Sequence, residues 1–245
     1  MSDVSAWNSA AGPAEVRAAL ASRGYALTDD RSIGLPEKFR SNFSQAYFND
    51  WTLRHDEGDM PVDRQRARDV IRYRWHDDKP IMQEHESITI TDRAGIPGKR
   101  EHARVRLLDD PQAKELIQAL LGLVPPERRP AEGTFGTFGI NLFRTFTNVV
   151  TSPHHDDEEF VIIYVLDRIG TGAETHLYPV DRYPNGRITS EDPVLKRQLN
   201  PGDILILDDQ RFMHDTSPLV PPAGEQARRD AVICTVDYPR TYLAS

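Results

Sequence analysis

Five short β-rich runs crowd the second half of the chain, at residues 134–150, 159–166, 174–178, 204–207 and 230–237, with turn residues between them. Runs of this kind, rich in Val, Ile, Thr and aromatic residues, predict strands, and a series of them predicts an all-β core. The first half reads differently. Residues 12–24 predict a helix with Val16, Ala19 and Leu20 on one face and Gly24 as its stop, followed by a strand at Tyr25. A second helix follows Pro36, with Phe39, Phe43, Ala46 and Tyr47 recurring at helical spacing as core residues. Asp110 caps a third, Pro111 suits its first turn, and Leu116, Ile117, Leu120 and Leu121 form its apolar face before Gly122.

These patterns predict an α+β, mainly β chain of one domain over residues 1–245, helix-rich over about 1–130 and with the β core over about 131–245. Residues 125–133 connect the two parts, and no internal repeat interrupts them. One segment invites a different reading. Arg64, Arg66, Arg68, Arg72 and Arg74, beside Tyr73 and Trp75, resemble a nucleic-acid patch, but Asp63, Asp69, Asp77 and Asp78 interleave with them, so a solvated helix face is expected.

Charge and cysteine usage narrow the function. Thirty Lys+Arg against 38 Asp+Glu give a formal charge of −8, which argues against a nucleic-acid partner held by bulk electrostatics. The single Cys234 lies in an apolar run and has no internal disulfide partner, so a buried thiol in a reducing cytoplasm is expected. The longest apolar run, residues 160–166, is too short to span a bilayer, and the N-terminus lacks a basic start and a long apolar stretch, so no membrane association is expected.

The chemistry concentrates at His154-His-Asp-Asp-Glu-Glu-Phe160. Residues two apart on an extended backbone point to one side, so a His-x-Asp pair presents two metal ligands together. Both His154/Asp156 and His155/Asp157 have that spacing. His214, which closes the segment after the apolar run 204–207, supplies a third ligand, and one strand pair could deliver all three. Two histidines and a carboxylate on one face leave three positions open, the ligand set of non-haem Fe(II) oxygenases. His55, His76, His85, His102 and His176 have no partner at ligand spacing and read as structural or surface residues.

Three blocks resemble the Fe(II)/2-oxoglutarate-dependent dioxygenases, and within them the bacterial isoleucine-dioxygenase-like amino-acid hydroxylases. Residues 154–161 are similar to that family's His-x-Asp-Gly-x-x-Phe-Val, and aligning Phe160 assigns the metal pair to His154 and Asp156. Residues 172–178 resemble its Gly-Gly-Glu-Thr strand. Residues 199–218 resemble its Pro-Gly-Asp turn, apolar strand, Asp, and distal His before Pro, and Arg229-Asp230 matches its Arg-Asp at the head of the last strand. Asp157 and Ala173 stand where the family has glycine.

The resemblance implies a double-stranded β-helix (cupin-like jelly roll) core braced by the N-terminal helices. It also implies Fe(II) on His154, Asp156 and His214, with 2-oxoglutarate and O2 as co-substrates, and release of succinate and CO2. The far carboxylate of 2-oxoglutarate then needs a buried cation, for which Arg229 is the candidate and Arg228 the alternative. The carboxylate ligand disfavours halogenation and leaves hydroxylation, desaturation or ring closure. The expected substrate is a free amino acid or similar small molecule, with Asn141, Arg144, Asp157 and Arg74 (or Arg72) as candidate contacts. The other classes in view are a cupin-type metal sensor or isomerase without 2-oxoglutarate, and a protein-side-chain hydroxylase.

Overall fold

A computed structural model describes residues 11–54, 64–85, 90–91, 99–100, 104–146, 152–181 and 187–237. In chain order these form α1 (Pro13–Arg23), β1 (Tyr25–Asp29), α2 (Phe39–Tyr47), β2 (Arg64–His76), β3 (Lys79–Glu84), β4 (Ile90–Thr91), β5 (Lys99–Arg100), α3 (Pro111–Leu121), β6 (Gly136–Thr145) and β7 (Phe160–Ile169). The order continues with β8 (Thr171–Gly172), β9 (Glu174–Asp181), β10 (Arg187–Ile188), β11 (Leu195–Gln198), β12 (Asp203–Asp208), β13 (Phe212–Thr216), β14 (Leu219–Val220) and β15 (Arg228–Val236).

The three expected helices are present for the expected reasons. Gly24 ends α1 at φ 84, a left-handed conformation that glycine adopts without steric cost. The Asp110 side chain accepts from the Gln112 N–H and caps α3. Phe39, Phe43 and Tyr47 are buried on α2.

The arginine-rich segment departs from expectation: it is the 13-residue strand β2, not a helix face. Ala67, Asp69, Ile71 and Tyr73 are fully buried. They alternate with Arg66, Arg68, Val70 and Arg72, a period of two that only an extended chain turns into two faces. The charged residues hid that alternation, because Asp69 occupies a buried position that a hydrophobic pattern reads as polar. The helix-rich first part thus contributes β1, β2 and β3 to the main sheet.

That sheet is seven-stranded, in the order β1-β12-β7-β15-β6-β2-β3, and antiparallel throughout. A second sheet pairs β9 with β10, β11 and β13. Alternate residues split the main sheet into two working faces. Ile71, Ile140, Leu142, Tyr164, Ile206 and Val232 pack with the helices in one core cluster. Val161, Ile163, Val165, Leu205 and Leu207 turn the other way and meet Leu177 and Phe212 of the second sheet and Leu199 just past β11. Two antiparallel sheets closed face to face in this way make the jelly roll of a double-stranded β-helix. Cys234 is buried in the helix-side cluster, which raises its thiol pKa. No described helix is long and apolar enough to cross a membrane.

Candidate active site

His154, Asp156 and His214 converge, with one ligand atom from each within 4.8 Å of the others. They come from two places. His214 lies on β13 in the second sheet, past a turn from β12, so the strand that ends the apolar run is not the one that bears the ligand. His154 docks beside it through a pair of backbone hydrogen bonds, His154 N–H to His214 C=O at 3.1 Å and the reverse at 3.0 Å. The rings are thereby held with centroids 4.5 Å apart. Asp156 follows in the loop before β7, with its Oδ2 3.7 Å from His214 Nε2 and its Oδ1 3.8 Å from His154 Nε2. The ligand set is therefore assembled across two elements, not by one strand pair.

The neighbouring histidine is turned elsewhere. His155 Nδ1 bonds the Asp209 carbonyl, and Asp157 sits at φ 60. That left-handed backbone explains why the resembling family has glycine there; aspartate is one of the few other residues that tolerates it. Ala173, the second departure, is also at positive φ, 47°. Both positions are constrained by backbone geometry first.

His214 is buried, and burial pushes its pKa down to about 4, with Asp156 opposing the shift. A neutral imidazole is the form that binds a metal, so the environment holds His214 ready as a ligand. Beside it Asp209 is fully buried, and its pKa is pushed up to about 7 by burial, with Asp156 and Asp157 adding to the rise and backbone N–H donors from Glu158 and Asp156 opposing it. Sequence reasoning did not single out Asp209. The available signal was an acid in the turn just after an apolar strand, five residues before the distal histidine.

Arg229 lies on the inner face of β15, the face that also presents Ile233 to the second sheet. It is buried, and its Nε and Nη2 have no hydrogen-bond partner among the described residues. Burial, with the charge of Arg168 adding to it, lowers its pKa to about 10. Arg168 is its register partner on β7, where a bulge opposite Asp230 and Ala231 resets the alternation, and it has an unpartnered buried Nη1 of its own. Arg228, by contrast, is engaged by Asp167 and lies 3.7 Å from Asp230.

The expected substrate contacts separate. Asn141 is on the inner face of β6, in register with Arg68 and Ile233, and its side chain reaches the Ile233 carbonyl at 3.4 Å. Arg144 is on the opposite face: its Nε and Nη2 both bond Asp230 at 2.8 Å, and Nη2 also bonds the Phe48 carbonyl. A cavity of about 460 Å³ lies beside it, lined by Asp50, Gln65, Arg144 and Arg228, on the helix side of the sheet and apart from the metal-ligand group. Arg74 is exposed and stacks with Arg72 on Phe135. The structure therefore does not bring Arg144 or Arg74 to the ligand group. His176 is not free either; its Nδ1 is 2.8 Å from Asp215 Oδ1 on the outer side of the second sheet. His55 and His102 lie outside the described residues.

A family model described as 2OG-Fe dioxygenase matches residues 45–235, a span that contains all three ligand candidates and Arg229. The chain belongs to the 2OG-Fe dioxygenase family. Members are Fe(II)- and 2-oxoglutarate-dependent oxidoreductases that use O2, and a His-Asp-His group able to hold iron is present here. That family sets aside the expectation of a sensor or isomerase without 2-oxoglutarate.

Solved structures share the fold. The chain resembles a bsmA homolog from Methylobium petroleophilum (TM-score 0.78, 19% identity, 94% of this chain and 95% of that one). It is also similar to IDO from Bacillus thuringiensis (0.68, 16%, 94% and 97%) and to the Fe(II)/α-ketoglutarate-dependent dioxygenase TqaL (0.68, 15%, 93% and 88%). A search of curated proteins found no sequence match.

Proposed function

We propose that this 2OG-Fe dioxygenase holds Fe(II) on His154, Asp156 and His214, anchors 2-oxoglutarate on Arg229, and oxidises a side-chain carbon of a free amino acid or close derivative. The observation that carries the reading is the buried Arg229 guanidinium, whose Nε and Nη2 have no partner among the described residues, on the inner face of a sheet whose facing sheet bears His214. A buried charge without a counter-ion costs several kcal/mol, of order 3–5 kcal/mol where one partner of a pair is missing, so a folded protein keeps one where a ligand supplies the other half. A guanidinium takes a carboxylate through two parallel hydrogen bonds, and Arg168 beside it adds to the positive field.

The donor set fits the metal: two imidazoles, one of them kept neutral by burial, and one carboxylate meet at a group that stays partly open, since His154 and Asp156 are only partly buried. With Fe(II), 2-oxoglutarate and O2 bound, the site supplies an oxidant able to break an unactivated C–H bond, with succinate and CO2 as co-products. The protein's part is to present three ligands from a strand of the second sheet and the loop before β7, to anchor the co-substrate in a dry interior, and to orient the substrate carbon. For orientation the inner face offers Asn141 opposite Arg68, together with Asp157 in the ligand loop. These are polar groups suited to the carboxylate and amine of a zwitterion.

The test is mass spectrometry of reactions with a panel of free amino acids, basic and aliphatic members included, in the presence of Fe(II), ascorbate and 2-oxoglutarate. The expected result is substrate-dependent succinate with a product heavier by one oxygen or lighter by two hydrogens. Activity confined to a peptide or protein overturns the substrate assignment.

A further inference from the structure

Two orphaned atoms face each other behind the metal-ligand group. His214 Nδ1 and Asp209 Oδ1 are both buried, neither has a hydrogen-bond partner among the described residues, and they lie 3.7 Å apart, with His155 Nδ1 next nearest to that oxygen at 3.9 Å. His214 directs its other nitrogen, Nε2, toward Asp156, so Nε2 is the ligating atom and Nδ1 must carry the proton of the neutral ring. That proton needs an acceptor, and the buried carboxylate offers one. The second oxygen, Oδ2, accepts from the Glu158 N–H at 3.0 Å, and the carboxylate also receives the backbone N–H of Asp156 itself. The Asp209 carbonyl bonds His155 Nδ1, which turns that imidazole away from the ligand group, and the Asp209 N–H bonds the Glu159 carbonyl at 3.2 Å.

We infer that Asp209 is a positioning residue for the metal centre, whose carboxylate fixes the ligating tautomer of His214 while pinning the loop that presents Asp156. It rests on the reading of His154, Asp156 and His214 as metal ligands, and it adds that a single side chain couples the ligand on the second sheet to the ligand on the loop before β7. It also explains why the duplicated His-Asp spacing resolves to one register: Asp209 uses its carbonyl to withdraw His155 and its carboxylate to seat the other pair. On metal binding the 3.7 Å separation is expected to close to a hydrogen bond, since a ligated imidazole is a stronger Nδ1–H donor.

Asparagine makes the sharp test, because it is nearly isosteric but has one acceptor where aspartate has two. With its carbonyl toward the backbone N–H groups, an amide NH2 would face His214 Nδ1 and favour the proton on Nε2, the tautomer that cannot ligate. With the amide reversed, the loop N–H groups lose their acceptor. Anaerobic Co(II) titration, followed by its visible bands, reads affinity and geometry without turnover, and thermal unfolding of the metal-free proteins checks folding. Asp209→Asn and Asp209→Ala are expected to bind Co(II) about 10–100-fold more weakly than the wild type, the usual cost of removing a histidine's outer partner, with altered bands at saturation. Metal affinity unchanged in both folded variants overturns the inference. If the variants do not fold, 15N NMR of the wild type loaded with Zn(II) decides: a protonated, strongly hydrogen-bonded His214 Nδ1 supports the role, and an unprotonated one overturns it. His214→Ala separates the two levels. If it binds Co(II) as the wild type does, the ligand assignment itself fails; if it loses Co(II) while the Asp209 variants keep it, only the positioning role does.

Discussion

The two faces of the seven-stranded sheet treat buried charge in opposite ways. On the helix side the fully buried carboxylates among the described residues are matched: Asp230 by Arg144, Asp208 by Arg128 at 3.0 Å, and Asp69 by the Leu107 N–H at 2.9 Å. On the inner face Arg229 is buried with two nitrogens that lack a partner among the described residues, and the same holds for His214 Nδ1 and Asp209 Oδ1 behind the candidate ligand group. The first pattern is what folding alone selects, since a buried unpaired polar group is costly. The second fits the proposal that a ligand completes the set. What differs between the faces is the pairing of fully buried charge, not the satisfaction of every polar atom, since Gln65 Oε1 and Trp75 Nε1 on the helix side also lack a partner among the described residues.

The largest effect expected is on the chemical face. His214→Ala should abolish iron-dependent succinate formation while leaving metal-free thermal unfolding nearly unchanged, as measured by turnover and circular dichroism; retained turnover would remove the residue from the centre. Next, Arg229→Met should raise the 2-oxoglutarate concentration for half-saturation at least about 100-fold, the scale of a lost buried charge partner, with a much smaller change in the substrate constant. The same variant should be at least as stable as the wild type without 2-oxoglutarate, because it removes an unpaired buried charge. An unchanged 2-oxoglutarate dependence would move the role away from Arg229.

The helix side should behave in reverse. Asp230→Ala strands the Arg144 guanidinium and should cost about 3–5 kcal/mol, or roughly 10 °C in Tm, without selective loss of 2-oxoglutarate affinity at temperatures where the variant is folded. A stable variant with weakened 2-oxoglutarate binding would break the division between the faces.

The smallest effect concerns Asp69. Burial pushes its pKa up to about 6, with Glu84 adding to the rise, while backbone N–H groups of Leu107 and Val70 and the charge of Arg104 oppose it. Between about pH 4 and pH 6 the folded state holds a proton that the unfolded chain has released, so this group's contribution to stability falls as pH rises through that window. Asp69→Asn should flatten that fall in denaturant-melt free energies measured from pH 4 to pH 7. An unchanged slope would show that Asp69 does not titrate there.

Much of this was legible in the sequence where pattern and chemistry agree. The helices were announced by Gly24, Pro36 and the Asp110-Pro111 cap, and the β core by turn-bounded apolar runs. Strand β2 was hidden because its buried row includes Asp69 and its other row is arginine, so charge masked a period of two. The candidate ligands His154, Asp156 and His214 were nominated by spacing together with resemblance. Spacing alone left two registers open, and the contact that separates them, from His155 to the Asp209 carbonyl, joins residues 54 positions apart. Arg144 was nominated from its place beside the ligand loop, but one residue of strand alternation puts it on the structural face with Asp230. Asp209 and Arg168 had no periodic signature, because their roles depend on which chains fold against them.

The central claim is that His154, Asp156 and His214 hold Fe(II) while Arg229 holds the co-substrate beside it. The most direct measurement is anaerobic addition of Fe(II) and 2-oxoglutarate to the wild type, His214→Ala and Arg229→Met, following the weak visible metal-to-ligand charge-transfer band. The account predicts a saturable band in the wild type, none in His214→Ala, and in Arg229→Met a band that needs at least about 100-fold more 2-oxoglutarate. No band in the wild type, or the same band at the same 2-oxoglutarate concentration in all three proteins, would contradict it.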